Sequence, residues 1–229
     1  MDKVTVFLPC RKGSERVPRK NIRKLGKYNH GLIEIKLSQL SECSLIDEII
    51  LSTNDEEIIE FANSLNLDKL KIHLREESLS SSKTMTDELI QLVPKLIRSG
   101  IVIWTHVTAP FVTAKIYDLL IEDFFQKRNT GFDSLMTTSK LQTFIWSNDG
   151  PINYDRNIEK WPRTQDLPVL HEINSAVFIS DIGSYNKLSD RVGNTPYLYN
   201  LDKIRSIDID WMDDFILAEK LIESGAVKI

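Results

Sequence analysis

Residues 4–21 have the sequence VTVFLPCRKGSERVPRKN, in which an apolar run is followed by a basic loop. The run at residues 4–8 is β-branched and aromatic, and it has the length of a buried strand. The loop after it contains Gly and Pro and carries five cationic side chains, Arg11, Lys12, Arg16, Arg19 and Lys20. This order predicts a first strand whose carboxyl end opens into an anion-binding loop.

The loop has the chemistry of a phosphate site. Gly13 can adopt backbone angles closed to other residues, so main-chain N–H groups can turn toward a phosphate, and Ser14 adds a hydroxyl donor. The side chains expected to donate charge-assisted hydrogen bonds to the same ligand are Arg11, Arg16, Arg19 and Lys20. Neither the G-x-x-x-x-G-K-[ST] spacing nor the G-x-G-x-x-G fingerprint is present.

The composition limits the class of protein. A chain of 229 residues, 41% of them hydrophobic, can bury the core of one α/β domain with an appendage. Its net charge of −4 argues against a general nucleic-acid binder. Cys10 and Cys43 lack the spacing of a disulfide framework or zinc site, and we interpret Cys10 as a small buried residue rather than a reactive thiol. Because no apolar run approaches a membrane span, we expect a soluble, cytoplasmic protein with no nucleic-acid or membrane partner.

Short apolar runs alternate with amphipathic segments along most of the chain. They predict strands at residues 4–8, 46–52, 70–74, 101–104 and 133–138, with helices between them. We expect the helix near residues 86–97 to be capped around Thr86 and to be kinked or divided at Pro94. The alternation predicts an α/β fold with a mostly parallel central sheet covered on both faces, and ligands at the carboxyl ends of its strands.

The pattern breaks down at residues 140–172. This segment holds Trp146 and Trp161, with Pro151 and Pro162 among charged residues. Residues 148–150 read Asn-Asp-Gly, a strong hairpin signal. We interpret it as an excursion from the main sheet that exposes aromatic side chains.

Two acidic residues lie at the end of the last predicted strand. Residues 204–210 alternate with period two, which predicts a strand with Asp208 and Asp210 on one face. Two carboxylates so placed repel each other unless they share a cation, and oxygen ligands beside a phosphate favour Mg²⁺. The alternative is a pair of solvated acids at a strand end. A helix over residues 212–224 is expected to pack on the sheet.

The basic loop resembles the signature of a known family. Arg-x-Gly-Ser at residues 11–14, followed by Pro-x-Lys-Asn at residues 18–21, is similar to the motif of the sugar-acid cytidylyltransferases, above all the acylneuraminate (CMP-sialic acid) synthetases. The resemblance implies that the loop wraps the triphosphate of CTP. The implied nucleotide contacts are Arg11, Gly13, Ser14, Lys20 and Asn21, with Arg75 and one or more of Ser80, Ser81 and Ser82 at the base and ribose. Glu15 stands where the sialic acid branch often carries Lys, and Arg16 lies next to it.

The resemblance extends through the middle of the chain. The family often has Gln where this chain has His106, whereas Thr108 and the Arg-x-Gln-Asp-Leu-Pro run at residues 163–168 match it. The implied substrate-binding residues are His106, Thr108, Arg163, Gln165 and Asn174. Ser175 replaces the usual Gly, and the His-x-Pro-Leu-Lys element of sialic acid synthetases has no counterpart.

The resemblance also implies a fold and a reaction. The fold is a Rossmann-like, glycosyltransferase A-like nucleotidyltransferase of three α/β/α layers, with residues 1–229 as one domain. The segment at residues 140–172 is then an inserted arm that forms a homodimer. In the implied reaction, the anomeric hydroxyl of a 2-keto-3-deoxy sugar acid attacks the α-phosphorus of CTP and pyrophosphate leaves. Mg²⁺ on Asp208 and Asp210 neutralises developing charge, Asp210 is catalytic, and Arg11 and Lys20 stabilise the leaving pyrophosphate.

Several alternatives stay open at this point. The sugar acid is a sialic acid, a bacterial diamino relative, an octulosonate or something smaller. A glycosyltransferase of the A type also combines an α/β core with an Asp-x-Asp metal motif, but its acidic pair normally lies mid-chain. A non-catalytic nucleotide sensor fits the departures at Glu15 and Ser175, although the chain keeps both acids and the whole basic loop.

Overall fold

A seven-stranded sheet forms the centre of the computed structural model, which describes residues 2–229; Met1, the first residue of the predicted domain, lies outside them. The strands are β1 (Val4–Pro9), β2 (Glu48–Thr53), β3 (Leu70–Leu74), β4 (Ile101–Thr105), β5 (Ser134–Leu141), β6 (Trp146–Ser147), β7 (Gly150–Pro151), β8 (Leu170–Asp181) and β9 (Pro196–Leu201). The helices are α1 (Gly31–Glu42), α2 (Glu56–Ser64), α3 (Thr86–Leu96), α4 (Ala114–Arg128), α5 (Ile182–Leu188) and α6 (Met212–Glu223).

The strand order in the large sheet is β3-β2-β1-β4-β8-β5-β9. Only β8 runs antiparallel to its neighbours β4 and β5, so the predicted mostly parallel sheet is confirmed. The inner strands are buried on both faces, because alternate residues enter two separate cores. Val6 and Ile103 face the core covered by α1, α2, α4 and α6, whereas Phe7 and Trp104 face the core covered by α3 and α5. The three-layer architecture is therefore confirmed.

The structure corrects one local prediction for α3 and refines another. The helix is not divided, because Pro94 lies in the last turn and α3 continues to Leu96. Of the residues 86–88 expected to cap the helix, Thr86 is already helical, and Glu88 supplies the cap: its carboxylate accepts a hydrogen bond of 2.7 Å from the Met85 N–H.

The predicted strand at residues 204–210 is wrong. The Asp202 carboxylate accepts hydrogen bonds from the N–H groups of Ile204 and Arg205, which folds the chain into a turn directly after β9. The backbone from there to Asp210 is irregular and joins no sheet. The apolar periodicity arises because Ile209 is fully buried in the core without strand pairing.

The excursion leaves the sheet after Leu141 and returns at Leu170, because β5 and β8 stay paired up to those two residues. Inside it, β6 and β7 pair around the predicted Asn-Asp-Gly turn, so the hairpin is confirmed. Where β8 re-enters the sheet, its pairing with β5 is interrupted by a bulge. Ser175 lies in this bulge with a φ of +57°, a conformation that favours Gly. Within residues 2–229, no helix is both long and apolar enough to cross a membrane.

Candidate functional site

A cavity of about 240 Å³ opens at the carboxyl ends of β1 and β4, where the sequence predicts ligand binding. Its polar lining residues are Arg11, Ser14, Lys20, Asn21, Arg75, His106 and Thr108. All of them are predicted site residues, drawn from three separate stretches of the chain: the basic loop, the end of β3 and the end of β4. Leu89 of α3 supplies an apolar wall.

The basic loop is held in place by its own hydrogen bonds. Gly13 has a φ of +79°, and its carbonyl accepts a hydrogen bond of 2.9 Å from Arg11 Nη1. The Asn21 side-chain amide donates to the Arg11 carbonyl at 3.0 Å, and Lys12 N–H donates to Asn54 Oδ1 at 2.9 Å. The loop is therefore anchored to itself and to the end of β2 before any ligand arrives.

The five cations of the loop do not all face the cavity. Lys12 pairs with Glu56 at 2.6 Å, and Arg19 contacts both carboxylate oxygens of Glu57 at 2.5 and 2.6 Å. These acids lie in the first turn of α2. The expectation that Arg19 joins the anion ligands is therefore wrong, because a nearby helix supplies it with a carboxylate. Arg11 has only backbone carbonyls as partners within residues 2–229.

The basic loop and the acidic segment meet, although they lie at opposite ends of the chain. Lys20 Nζ donates to the Ile209 carbonyl at 2.5 Å and lies 3.3 Å from Asp210 Oδ1. Arg16 Nη1 lies 3.0 Å from Asp210 Oδ2 and stacks over the Trp211 ring at 4.7 Å. The predicted convergence of the two segments is confirmed.

Asp208 and Asp210 differ in environment. Asp210 is half exposed and paired with two cations, whereas Asp208 Oδ1 is buried without a hydrogen-bond partner among the residues described. Burial raises the pKa of Asp208, and the negative charge of Asp210 adds to this effect. The segment is fixed because Ile209 N–H donates to the Thr108 carbonyl at 2.8 Å, beside the cavity.

This donor set fits a divalent cation that also binds phosphate. A buried carboxylate oxygen without a hydrogen-bond partner destabilises the folded protein unless a ligand binds to it. No cluster of three or more acidic, His or Cys residues that could hold a metal occurs in the described part of the chain. Asp208 and Asp210 would thus hold the ion incompletely, which is the usual arrangement for Mg²⁺ shared with a nucleotide.

His106 is a neutral hydrogen-bond donor at the cavity wall. The Trp104 indole N–H, which can only donate, gives a hydrogen bond of 2.9 Å to His106 Nε2, so the ring proton is on Nδ1. Burial, followed by the positive charges of Arg191, Lys36 and Lys20, lowers the pKa of His106 to about 3.

Arg75 lies at the opposite side of the cavity from His106, after β3. Its Nε donates to Ser52 Oγ at 3.1 Å and its Nη2 to the Ser52 carbonyl at 2.5 Å. Burial lowers the pKa of Arg75 to about 10, so the guanidinium stays charged at neutral pH. Of the nearby serines, Ser80 uses its hydroxyl on the Glu76 carbonyl and Ser82 is exposed; neither lines the cavity.

The remaining predicted acceptor residues do not line the cavity within one chain. Arg163 pairs with Asp166 at 2.7 Å, and Gln165 is exposed, both on the excursion. Asn174 is buried in the β8 bulge, where it accepts from the Thr137 hydroxyl at 2.7 Å and donates to Ser206 Oγ at 3.2 Å. Asn174 therefore connects the bulge to the segment that carries Asp208.

Sequence reasoning missed two cations near the site, Lys36 and Arg191. Lys36 lies fully buried on α1, where its ammonium donates to the Ala109 carbonyl at 2.8 Å and to the Tyr117 hydroxyl at 2.9 Å. A lysine within an otherwise apolar helix face was the available signal. Arg191 comes from the loop before β9, where the sequence carries no motif.

Two curated proteins are similar in sequence to about half of this chain. Two curated proteins of Campylobacter jejuni, both named pseudaminic acid cytidylyltransferase, are 33% and 34% identical to this chain over 129 residues, which is 54% of the chain and 53% of each relative. The matched part thus spans about half the length of these relatives.

Solved structures show the same fold. A CMP:2-keto-3-deoxy-manno-octonic acid synthetase complexed with CTP has a TM-score of 0.66 at 12% identity, covering 97% of this chain and 99% of that chain. A 4-diphosphocytidyl-2C-methyl-D-erythritol synthase from Anaerococcus prevotii has a TM-score of 0.66 at 17% identity, covering 97% and 96%. The sequence profile of the family described as cytidylyltransferase matches residues 5–224, nearly the whole chain. The protein therefore belongs to the cytidylyltransferase family.

Proposed function

We propose that this protein transfers CMP from CTP to the anomeric hydroxyl of a 2-keto-3-deoxy sugar acid and releases pyrophosphate. The observation that carries the proposal is the contact of the Asp208–Asp210 segment with Arg16 and with Lys20, of which Lys20 lines the cavity. Membership of the family and the sugar-acid substrate named for the curated relatives support it. A CMP-octulosonate synthetase is the second candidate, because the synthetase that shares the fold is named for such an acid.

The nucleotide is proposed to lie between the basic loop and Arg75. Arg11 has no acidic partner within residues 2–229, so its guanidinium is available to the phosphates, and Gly13 and Ser14 present backbone and hydroxyl donors beside it. Lys20 lies next to Asp210, where it would stabilise charge on the leaving pyrophosphate. We propose that Arg75, which Ser52 anchors at the cavity wall, contacts the base and ribose.

Asp208 and Asp210 would hold the Mg²⁺ ion together with phosphate oxygens. When bound, the ion neutralises charge that builds on the α-phosphate. The chain's own contribution is to fix the two carboxylates through Thr108, Lys20 and Arg16. We propose that Arg16, which contacts Asp210, takes over the role of the Lys that Glu15 replaces.

The acceptor hydroxyl is proposed to approach from the side of His106 and Thr108. His106 cannot accept a proton, because Nε2 is engaged by Trp104 and Nδ1 is protonated. It therefore positions the acceptor by donating a hydrogen bond, and in-line placement supplies much of the rate.

A homodimer is proposed from the excursion. Exposed apolar side chains concentrate there, including Ile152 (61% exposed), Ile158 (86%) and Trp161 (62%). Such a surface is typical of a subunit interface. It would also bring Arg163 and Gln165, which do not reach the cavity of their own chain, toward that of the neighbouring subunit.

Pyrophosphate release tests the proposed reaction. The purified protein is incubated with CTP, Mg²⁺ and a panel of sialic, diamino, octulosonic and shorter sugar acids. We expect release with at least one acid and none when CTP or the acid is omitted. A nucleotide sensor would bind CTP without release, and a glycosyltransferase would ignore CTP; either result contradicts the proposal.

A further inference from the structure

Arg191 lies over two aromatic rings, one of which belongs to Trp104, the hydrogen-bond partner of the cavity residue His106. Its guanidinium is 3.8 Å from the centroid of the Phe178 ring and 5.0 Å from that of Trp104. Phe178 and Trp104 are direct neighbours across β8 and β4, so their rings form one platform on the same face of the sheet. Such stacking fixes the plane of the guanidinium through its faces and leaves its N–H edges for hydrogen bonding.

The edges of this guanidinium have no acceptor in the described chain. The adjacent acid, Asp190, turns its Oδ1 to the Val192 N–H at 3.1 Å. Four other arginines, Arg16, Arg19, Arg163 and Arg205, each pair with a carboxylate, which Arg191 lacks within residues 2–229. Burial lowers the pKa of Arg191, yet an arginine remains charged at neutral pH. Because Arg191 is partly buried, its guanidinium is only partly hydrated and would gain from a ligand that accepts its hydrogen bonds.

Arg191 belongs to the acceptor side of the cavity. Trp104, on which it stacks, donates to His106, which lines the cavity, and the Arg191 charge is close enough to lower the pKa of His106. The sheet order puts Arg75 after β3 on one flank and Arg191 over β4 and β8 on the other. With the nucleotide on the Arg75 flank, Arg191 faces the second substrate.

We propose that Arg191 is a specificity-determining residue that donates hydrogen bonds to a planar carbonyl oxygen group of the acceptor. Two groups share this chemistry: the carboxylate of a sugar acid and the carbonyl of an N-acyl substituent. The proposal rests on the proposed function, because it needs an acceptor bound beside His106.

The test compares wild type with Arg191→Met. Pyrophosphate release is measured while CTP or the acceptor is varied, with the acid that wild type uses, its methyl ester and its de-N-acylated form. Lys127→Met is the matched control, because Lys127 also stacks on an aromatic ring, Tyr197, at 4.7 Å, but lies away from the cavity.

We expect Arg191→Met to raise the KM for the acceptor by about 10- to 100-fold, the worth of a charge-assisted hydrogen bond, and to leave the KM for CTP unchanged. Wild type should discriminate against one of the two analogues, and the variant should lose that discrimination. The ester identifies the carboxylate as the bound group, and the de-N-acylated form identifies the acyl carbonyl. Arg191→Lys, which keeps the charge without the planar fork, should show a smaller rise and serves if the Met variant does not fold.

An unchanged KM for the acceptor, an equal rise in the KM for CTP, or retained discrimination against both analogues would overturn the role of Arg191. A wild-type protein that releases no pyrophosphate with any acid defeats the proposed function instead. In that case, the calorimetric affinity for the same acids tests the role of Arg191 independently. Weaker binding to Arg191→Met than to wild type supports the proposal, whereas equal binding or no binding overturns it.

Discussion

At the scale of single residues, Ser175 carries backbone strain in the bulge next to the candidate site. It adopts a φ of +57° in the β8 bulge, one residue after Asn174. A left-handed conformation costs a non-glycine residue about 1–2 kcal/mol. Glycine avoids this cost, but it loses more backbone entropy on folding, which offsets part of the gain. We therefore expect Ser175→Gly to raise the free energy of unfolding by about 1 kcal/mol in urea titrations. Ser184→Gly, within α5, should lower it; a less stable Ser175→Gly would contradict this account of the bulge.

Lys36 makes stability depend on pH at the same scale. Burial lowers the pKa of its ammonium from 10.5 to about 7. Between these values the unfolded chain keeps a proton that the folded chain has lost, so the free energy of unfolding rises with pH. From pH 7 to about pH 8.5, wild type should gain about 1–2 kcal/mol relative to Lys36→Met. This window ends below the ordinary pKa of 9.0 for the thiols, whose burial acts in the opposite direction at higher pH. Equal pH profiles for the two proteins would contradict a strongly shifted Lys36.

Individual site residues were predictable where a local motif carries them. Arg11, Arg75 and Thr108 follow strand ends closely, and topology alone brings strand ends together. The pairing of Arg19 with Glu57 was not predictable, because it depends on where the first turn of α2 lies. Arg191 was missed for the same reason, since only the folded sheet places Trp104 beside Phe178.

At the scale of elements, the start of α6 fixes the acidic segment. The Asp214 carboxylate accepts hydrogen bonds from Asp210 N–H at 3.0 Å and Trp211 N–H at 2.7 Å. Loss of such a cap costs about 1 kcal/mol, so Asp214→Ala should lower the free energy of unfolding by that amount and also reduce turnover. Asp213→Ala, which alters an exposed acid of the same turn, is the control. Unchanged turnover in Asp214→Ala would show that the cap does not position Asp210.

Most strands and helices could be predicted from the spacing of their apolar residues, and one predicted strand was wrong. Buried strands and amphipathic helices were predicted because each has a core on at least one side. The strand at residues 204–210 was wrong because period two records only which residues are buried. Ile209 is buried in the core. The hydrogen bonds that the Asp202 carboxylate accepts, however, fold the backbone into a turn that pairs with no strand.

At the scale of the whole molecule, the parallel part of the sheet was predictable and the insertion of antiparallel β8 between β4 and β5 was not. Alternating strands and helices specify parallel neighbours, whereas a strand that returns after a long excursion can join the sheet in either direction. This insertion matters for the site, because it places Phe178 and the bulge with Asn174 next to β4.

We expect the excursion to form a dimer interface. If its exposed apolar side chains form the dimer interface, Ile158→Asp should convert a dimer to a monomer in light scattering coupled to size-exclusion chromatography. Ile216→Asp changes an exposed isoleucine on α6 and should leave the dimer intact. A wild-type monomer, or a dimer that survives Ile158→Asp, would contradict this interface.

The most direct measurement of the central claim is the turnover of Asp210→Asn, followed by pyrophosphate release, beside its calorimetric affinity for CTP. If the basic loop and the acidic segment act on one triphosphate, turnover should fall by about 100-fold or more, while CTP affinity changes only a few-fold. Asp213→Asn should match wild type in both measurements. Turnover equal to wild type in Asp210→Asn would contradict the account.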